Sequence, residues 1–104
     1  MIFIETPIFT RQIKDLMNDD DYATFQAGLA VRPDAGDVMP GTNGLRKIRV
    51  AASGRGKRGG ARVIYYHFVN QSQIALLLAY PKNEQDNLTP DQQKALAAIV
   101  KNWR

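Results

Sequence analysis

Hydrophobic positions change their period several times along the chain, and each change marks an element. Ile2 to Glu5 reads as a short first strand. Thr6-Pro7 then supplies an N-cap and a proline at the first helical position, and Phe9, Ile13, Leu16 and Met17 follow at helical spacing. The cluster Asn18-Asp19-Asp20-Asp21 breaks that helix and offers caps for a second, whose apolar stripe is Tyr22, Phe25 and Leu29. Arg32-Pro33 stops it, because the residue before a proline disfavours helical backbone. The two helices are expected to form a hairpin.

Pro33 to Gly44 reads as a loop, Leu45 to Ala52 as a strand and Ser53 to Gly60 as a glycine-rich loop. Ala61 to Val69 is a β-rich run, Asn70 to Gln73 turns the chain, and Ile74 to Tyr80 returns it. In the last helix Thr89 is the cap, Pro90 takes the first position and Gln92 completes a Thr-x-x-Gln capping box. Leu96, Ile99, Val100 and Trp103 form its apolar stripe. The order β-α-α-β-β-β-α predicts an α+β domain, a largely antiparallel sheet with helices packed on one face and the other face available for function.

With 104 residues the chain fits one domain, residues 1–104, and leaves no room for a separate cofactor domain. Cysteine is absent, which excludes disulfides and thiolate metal sites. The N-terminus lacks a basic region followed by a long apolar run, and the longest apolar run, Ile74 to Tyr80, has the length of a strand. A soluble cytoplasmic protein that engages no membrane is expected.

Charge adds more than composition does. The net charge is +4, yet Arg46, Lys47, Arg49, Arg55, Lys57, Arg58 and Arg62 crowd into seventeen positions without an acid. The remainder carries seven basic residues against ten acids. A slightly acidic body with one concentrated cationic block is the footprint of a protein that binds nucleic acid or an acidic partner.

Within that block, alternation along a strand places Ile48 and Val50 on a core face, with Lys47 and Arg49 on the opposite face about 7 Å apart. Two such cations can contact successive phosphates; the bland alternative is a solvated strand face. Arg62 opens the next strand and falls near Arg49 or Lys47 if the two strands pair, where its guanidinium can grip a phosphate with two hydrogen bonds. Its alternative is a surface ion pair.

Gly54-Arg55-Gly56-Lys57-Arg58-Gly59 matches G-x-G-x-x-G but precedes a β-rich run, which excludes a dinucleotide site. Arg46, with the loop cations Arg55, Lys57 and Arg58, is expected to contact an RNA backbone. Tyr80 and Lys82, at the end of the last strand, join the candidate site, Tyr80 by stacking on a base or donating a hydrogen bond. The single histidine, His67, lies within an apolar strand and suits a structural role, and Trp103 suits helix packing. With no cysteine, one histidine and no recognisable acid cluster, neither metal nor cofactor is expected.

The run Arg32-Pro33-Asp34-Ala35-Gly36-Asp37 and the run Gly41-Thr42-Asn43-Gly44-Leu45-Arg46-Lys47-Ile48-Arg49 resemble HigB-type toxins of the RelE superfamily. So do Gly56-Lys57-Arg58-Gly59-Gly60, Arg62-Val63-Ile64-Tyr65-Tyr66 and Tyr80-Pro81-Lys82-Asn83-Glu84. The resemblance implies the RelE-like fold and a toxin that enters the ribosomal A site and cleaves messenger RNA. The RNA's own 2′-hydroxyl is then the nucleophile, and no metal takes part. It also implies neutralisation by a cognate antitoxin, expected to be of the HigA-like, helix-turn-helix type.

Lys47 and Arg49 match the family's basic strand pair, and Arg62 matches its phosphate-binding arginine. RelE has a further arginine near the end of the last strand; here Asn83 stands at that position with Lys82 beside it, and Thr89 falls where RelE has a tyrosine. On this reading Arg62 stabilises the developing charge with Arg49 assisting, and Lys47 is the base if its surroundings lower its pKa. Two rival readings share these features: a gyrase-directed toxin of the ParE kind, and a non-catalytic RNA-binding regulator.

Overall fold

Each helix begins where a side chain satisfies its first free amides. In the computed structural model, which describes residues 1–51, 60–85 and 87–103, α1 (Pro7–Leu16) is capped by Thr6, whose Oγ1 accepts from the Phe9 amide at 3.1 Å. Helix α2 (Asp19–Val31) is capped by Asn18, whose Oδ1 accepts from the Asp21 amide at 2.8 Å. Asp19, Asp20 and Asp21 occupy its first turn, where the helix dipole favours negative charge. Helix α3 (Pro90–Trp103) opens with the expected reciprocal box: the Gln92 amide donates to Thr89 Oγ1 at 3.1 Å, and the Thr89 amide to Gln92 Oε1 at 3.0 Å.

Five strands, β1 (Ile2–Glu5), β2 (Asp37–Val38), β3 (Arg46–Val50), β4 (Ala61–Phe68) and β5 (Gln73–Pro81), form one sheet in the order β1-β5-β4-β3-β2. Three pairings are antiparallel and β1 lies parallel to β5. The expected loop from Pro33 to Gly44 contains the two-residue β2, which pairs Asp37 with Lys47 and Val38 with Arg46. A 3-10 turn, Val69–Gln71, joins β4 to β5. At the base of β4, Gly60 has φ +72°, and a Cβ there would lie 2.2 Å from the Val50 carbonyl oxygen. Only glycine lets the chain enter β4 this close to β3.

The placement of the helices corrects one expectation. Helices α1 and α2 cover one face, burying Phe9, Ile13, Leu16 and Leu29 against Val63, Tyr65, Ile74 and Leu76. Helix α3 covers part of the opposite face, where Leu88, Leu96 and Val100 meet Leu45, Ile64, Leu77, Leu78 and Tyr80. The reason lies in β5: Ile-Ala-Leu-Leu-Leu-Ala-Tyr is apolar at every position, so both of its faces need cover. A register shift at Ile64/Tyr65 pairs Ile64 with Leu78 and Tyr65 with Leu76, and both Leu77 and Leu78 pack in the α3 cluster. Ile99, expected in the α3 stripe, is 42% exposed instead. None of the helices searched is long and apolar enough to cross a membrane.

Candidate active site

The antiparallel register builds the site. Arg49 on β3 lies directly opposite Arg62 on β4, and Arg62 directly opposite Tyr80 on β5. Directly opposed residues share a face, so the three side chains form a row across three strands on the α3 side of the sheet. Lys47, two residues from Arg49, projects from the same face and pairs with Ile64. The expectation that β3 and β4 bring Arg62 to Arg49 is met residue for residue.

Two guanidinium groups opposed across a ladder repel one another and destabilise the sheet. The arrangement is favourable once an anion sits between them. Arg62 is only 4% exposed, and its Nη1 donates to the Ala61 carbonyl at 3.3 Å. Arg49 is exposed. The exposed arginine is therefore the one positioned to meet a ligand directly, while Arg62 lies behind it as a fixed positive charge. Tyr80 is 6% exposed and belongs to the α3 cluster.

Lys47 reaches sideways to the segment before α3, donating from Nζ to Asn87 Oδ1 at 2.7 Å. Gln85 steadies that segment, its Nε2 donating to the Asn87 carbonyl and to Gln92 Oε1, each at 2.7 Å. Beside Lys47 opens a cleft of about 380 Å³ lined by Asp37, Val38, Met39, Pro40, Asn87, Leu88 and Gln93. Periodicity gave no hint of this cleft, because the contact joins residues forty positions apart.

The remaining candidates lie elsewhere. Lys82 is exposed just past β5, and its amide donates to the Gly60 carbonyl at 3.1 Å, which holds it at the mouth of the β3–β4 hairpin. Arg46 pairs with Tyr65, on the face opposite to Lys47 and Arg49. Its Nη1 donates to the Gly36 carbonyl at 2.7 Å and to the Asp34 carbonyl at 3.3 Å. The Tyr65 hydroxyl donates to the Pro33 carbonyl at 2.8 Å and accepts from the Gly36 amide at 2.9 Å. Burial pushes the Tyr65 phenol above its ordinary pKa. Arg46 is thus not brought to the Arg49–Arg62 row, and it braces the loop that leads into β2. Arg55, Lys57 and Arg58 lie outside the described residues, as does the side chain of Trp103. His67 is half-buried on β4, opposite Ile74.

A mixed five-stranded sheet carrying a helical pair on one face and a C-terminal helix on the other is the RelE-like α+β architecture. The fold is similar to that of E. coli toxin RelE in the free state, in a form with two arginines replaced by alanine (TM-score 0.60, 10% identity, 95% of each chain). It is also similar to a chain of the intact E. coli RelBE toxin–antitoxin complex (TM-score 0.55, 11% identity, 75% of this chain and 92% of that one). The model of the RelE toxin of the RelE/RelB toxin–antitoxin system matches residues 5–104, and the chain belongs to that family.

Proposed function

We propose that this protein is a ribosome-dependent, metal-independent endoribonuclease toxin of the HigB kind, which cleaves translated messenger RNA in the ribosomal A site. The observation that carries this reading is the row Arg49–Arg62–Tyr80, with Lys47 on the same face. The scissile phosphate lies against Arg49, within the field of Arg62. The neighbouring 2′-oxygen forms a bond to phosphorus, and the bond from phosphorus to the 5′-oxygen breaks. Lys47 is the group placed to take the 2′-hydroxyl proton, and the leaving 5′-oxygen gains a proton from solvent or from the ribosome. Arg49 and Arg62 stabilise the extra negative charge on the phosphoryl oxygens. Tyr80 supports Arg62, and Lys82 with the loop cations Arg55, Lys57 and Arg58 holds the flanking backbone.

A cognate antitoxin, of the HigA-like kind, neutralises the protein in the cytoplasm, and the cationic face is suited to an acidic segment of it. Membership of a toxin–antitoxin family and the toxin–antitoxin complex of the E. coli relative support a partner of this class. The test maps new 5′ ends on a message in a purified translation system. Cuts confined to ribosome-occupied message are expected. Equal cutting of free RNA, or stalled gyrase–DNA complexes with message intact, would overturn the reading.

A further inference from the structure

We propose that Asn87 is a positioning residue for the cleavage reaction: it acts through Lys47, holding Nζ on the face that carries Arg49. The inference rests on the proposed ribonuclease reading and adds a residue to that site. Lysine carries its amine on a flexible four-carbon stem with many rotamers, so an unheld Nζ spends little time in any one place. Here Nζ donates to Asn87 Oδ1 at 2.7 Å. The two residues lie forty positions apart, so the bond exists only while the segment before α3 is seated beside β3.

That segment is braced on both sides of Asn87. Leu88, the next residue, is 7% exposed and packs in the α3 cluster. Gln85, two residues before, donates from Nε2 to the Asn87 carbonyl and to Gln92 Oε1. Gln92 Oε1 also accepts from the Thr89 amide, so one oxygen serves both the cap of α3 and the brace. Asn87 itself is exposed; its neighbours fix its backbone, and its side-chain oxygen is given to Lys47.

The choice of acceptor suits a site for phosphate. Asp37 stands cross-strand from Lys47 and lines the same cleft, yet the acceptor at 2.7 Å is a neutral amide. A carboxylate in that place would hold Nζ in an ion pair and repel the RNA backbone. The amide oxygen fixes Nζ and adds no charge to the site.

The test is single-turnover cleavage over a range of programmed-ribosome concentrations, for the unsubstituted chain, Asn87→Leu and Gln85→Leu, each also made in a Lys47→Ala background. Leucine is close to asparagine in size and removes the acceptor. Thermal melting verifies folding. Asn87→Leu is expected to lower the saturating rate about tenfold, the size of one lost contact of this kind, with the half-saturating ribosome concentration unchanged. Gln85→Leu should act in the same direction and by less. In the Lys47→Ala background neither substitution should slow cleavage further, because the group they hold is gone. An unchanged saturating rate in Asn87→Leu, a change confined to the half-saturating concentration, or slowing of equal size with and without Lys47 would overturn the positioning role while leaving the ribonuclease reading intact. Absence of any cutting by the unsubstituted chain would overturn both.

Discussion

The two faces of the sheet are built from the same strands and treat polar groups in opposite ways. On the α1–α2 face several polar side chains are tied to the fold. Thr6 Oγ1 donates to the Leu77 carbonyl at 2.8 Å, and Gln12 Oε1 accepts from the Ala79 amide at 2.9 Å. Glu5 accepts from Thr10 at 2.6 Å and from Tyr22 at 2.5 Å, and Arg46 braces Gly36. On the α3 face the helix covers β4 and β5, while β3 presents Lys47 and Arg49 beyond it, with Arg62 beneath. Arg46 and Arg49 stand three residues apart, yet alternation puts them on opposite faces, where Arg46 braces the loop into β2 and Arg49 stands exposed. Charge density alone does not distinguish them; face does.

The strongest way to break this division is to damage the α1–α2 face and watch the chemistry. Phe9 is fully buried there. Phe9→Ala should lose about 3–5 kcal/mol of stability in urea unfolding, while the folded fraction cleaves message at the unsubstituted rate. A loss of cleavage beyond the loss of folded protein would show that the faces are not separate.

Thr89→Ala sharpens the comparison from the other side. Removing the α3 cap should cost about 1 kcal/mol in thermal melts. Because the same box anchors the segment that carries Asn87 to Lys47, cleavage should fall as well. A cap loss that lowers stability alone would confine α3 to packing.

The smallest effect concerns pH. Burial first, then the hydrogen bond to Glu5 and its charge, push the Tyr22 phenol well above the ordinary tyrosine value. The folded chain therefore keeps this proton where an unfolded chain releases it. The contribution is complete below a pH of about 10 and shrinks as pH rises further. Tyr22→Phe should flatten the alkaline fall of the urea midpoint, with the residue of that slope left to Tyr65, whose phenol is raised in the same direction. An unchanged slope would remove Tyr22 from the account.

Local chemistry made most of the fold legible. Thr6-Pro7, Asn18 and Thr89-Pro90 marked the helix starts because caps act within one turn. Alternation put Lys47 and Arg49 on one face and brought Arg62 to Arg49 because strand pairing propagates the period of two. The two-sided cover of the sheet was also written in β5, whose unbroken apolar run needs burial on both faces. What stayed hidden depends on contacts between distant segments. The parallel pairing of β1 with β5, the short β2 and the Lys47–Asn87 bond arise only when the sheet has formed. The structural work of Arg46 was masked by its place in a basic run, since its partners are the backbone carbonyls of Asp34 and Gly36, which carry no residue signature.

The central claim is tested most directly by a double-mutant cycle on programmed ribosomes, using Arg49→Ala, Arg62→Lys and the pair, with single-turnover cleavage as the readout. Each charge-assisted contact is worth roughly 1.5–3 kcal/mol, or about one to two decades in rate. The account predicts that each single variant slows cleavage, and that the pair loses clearly less than the product of the two, because both act on one phosphate. Single variants that cut at the unsubstituted rate, or losses that multiply as for unconnected sites, would contradict it.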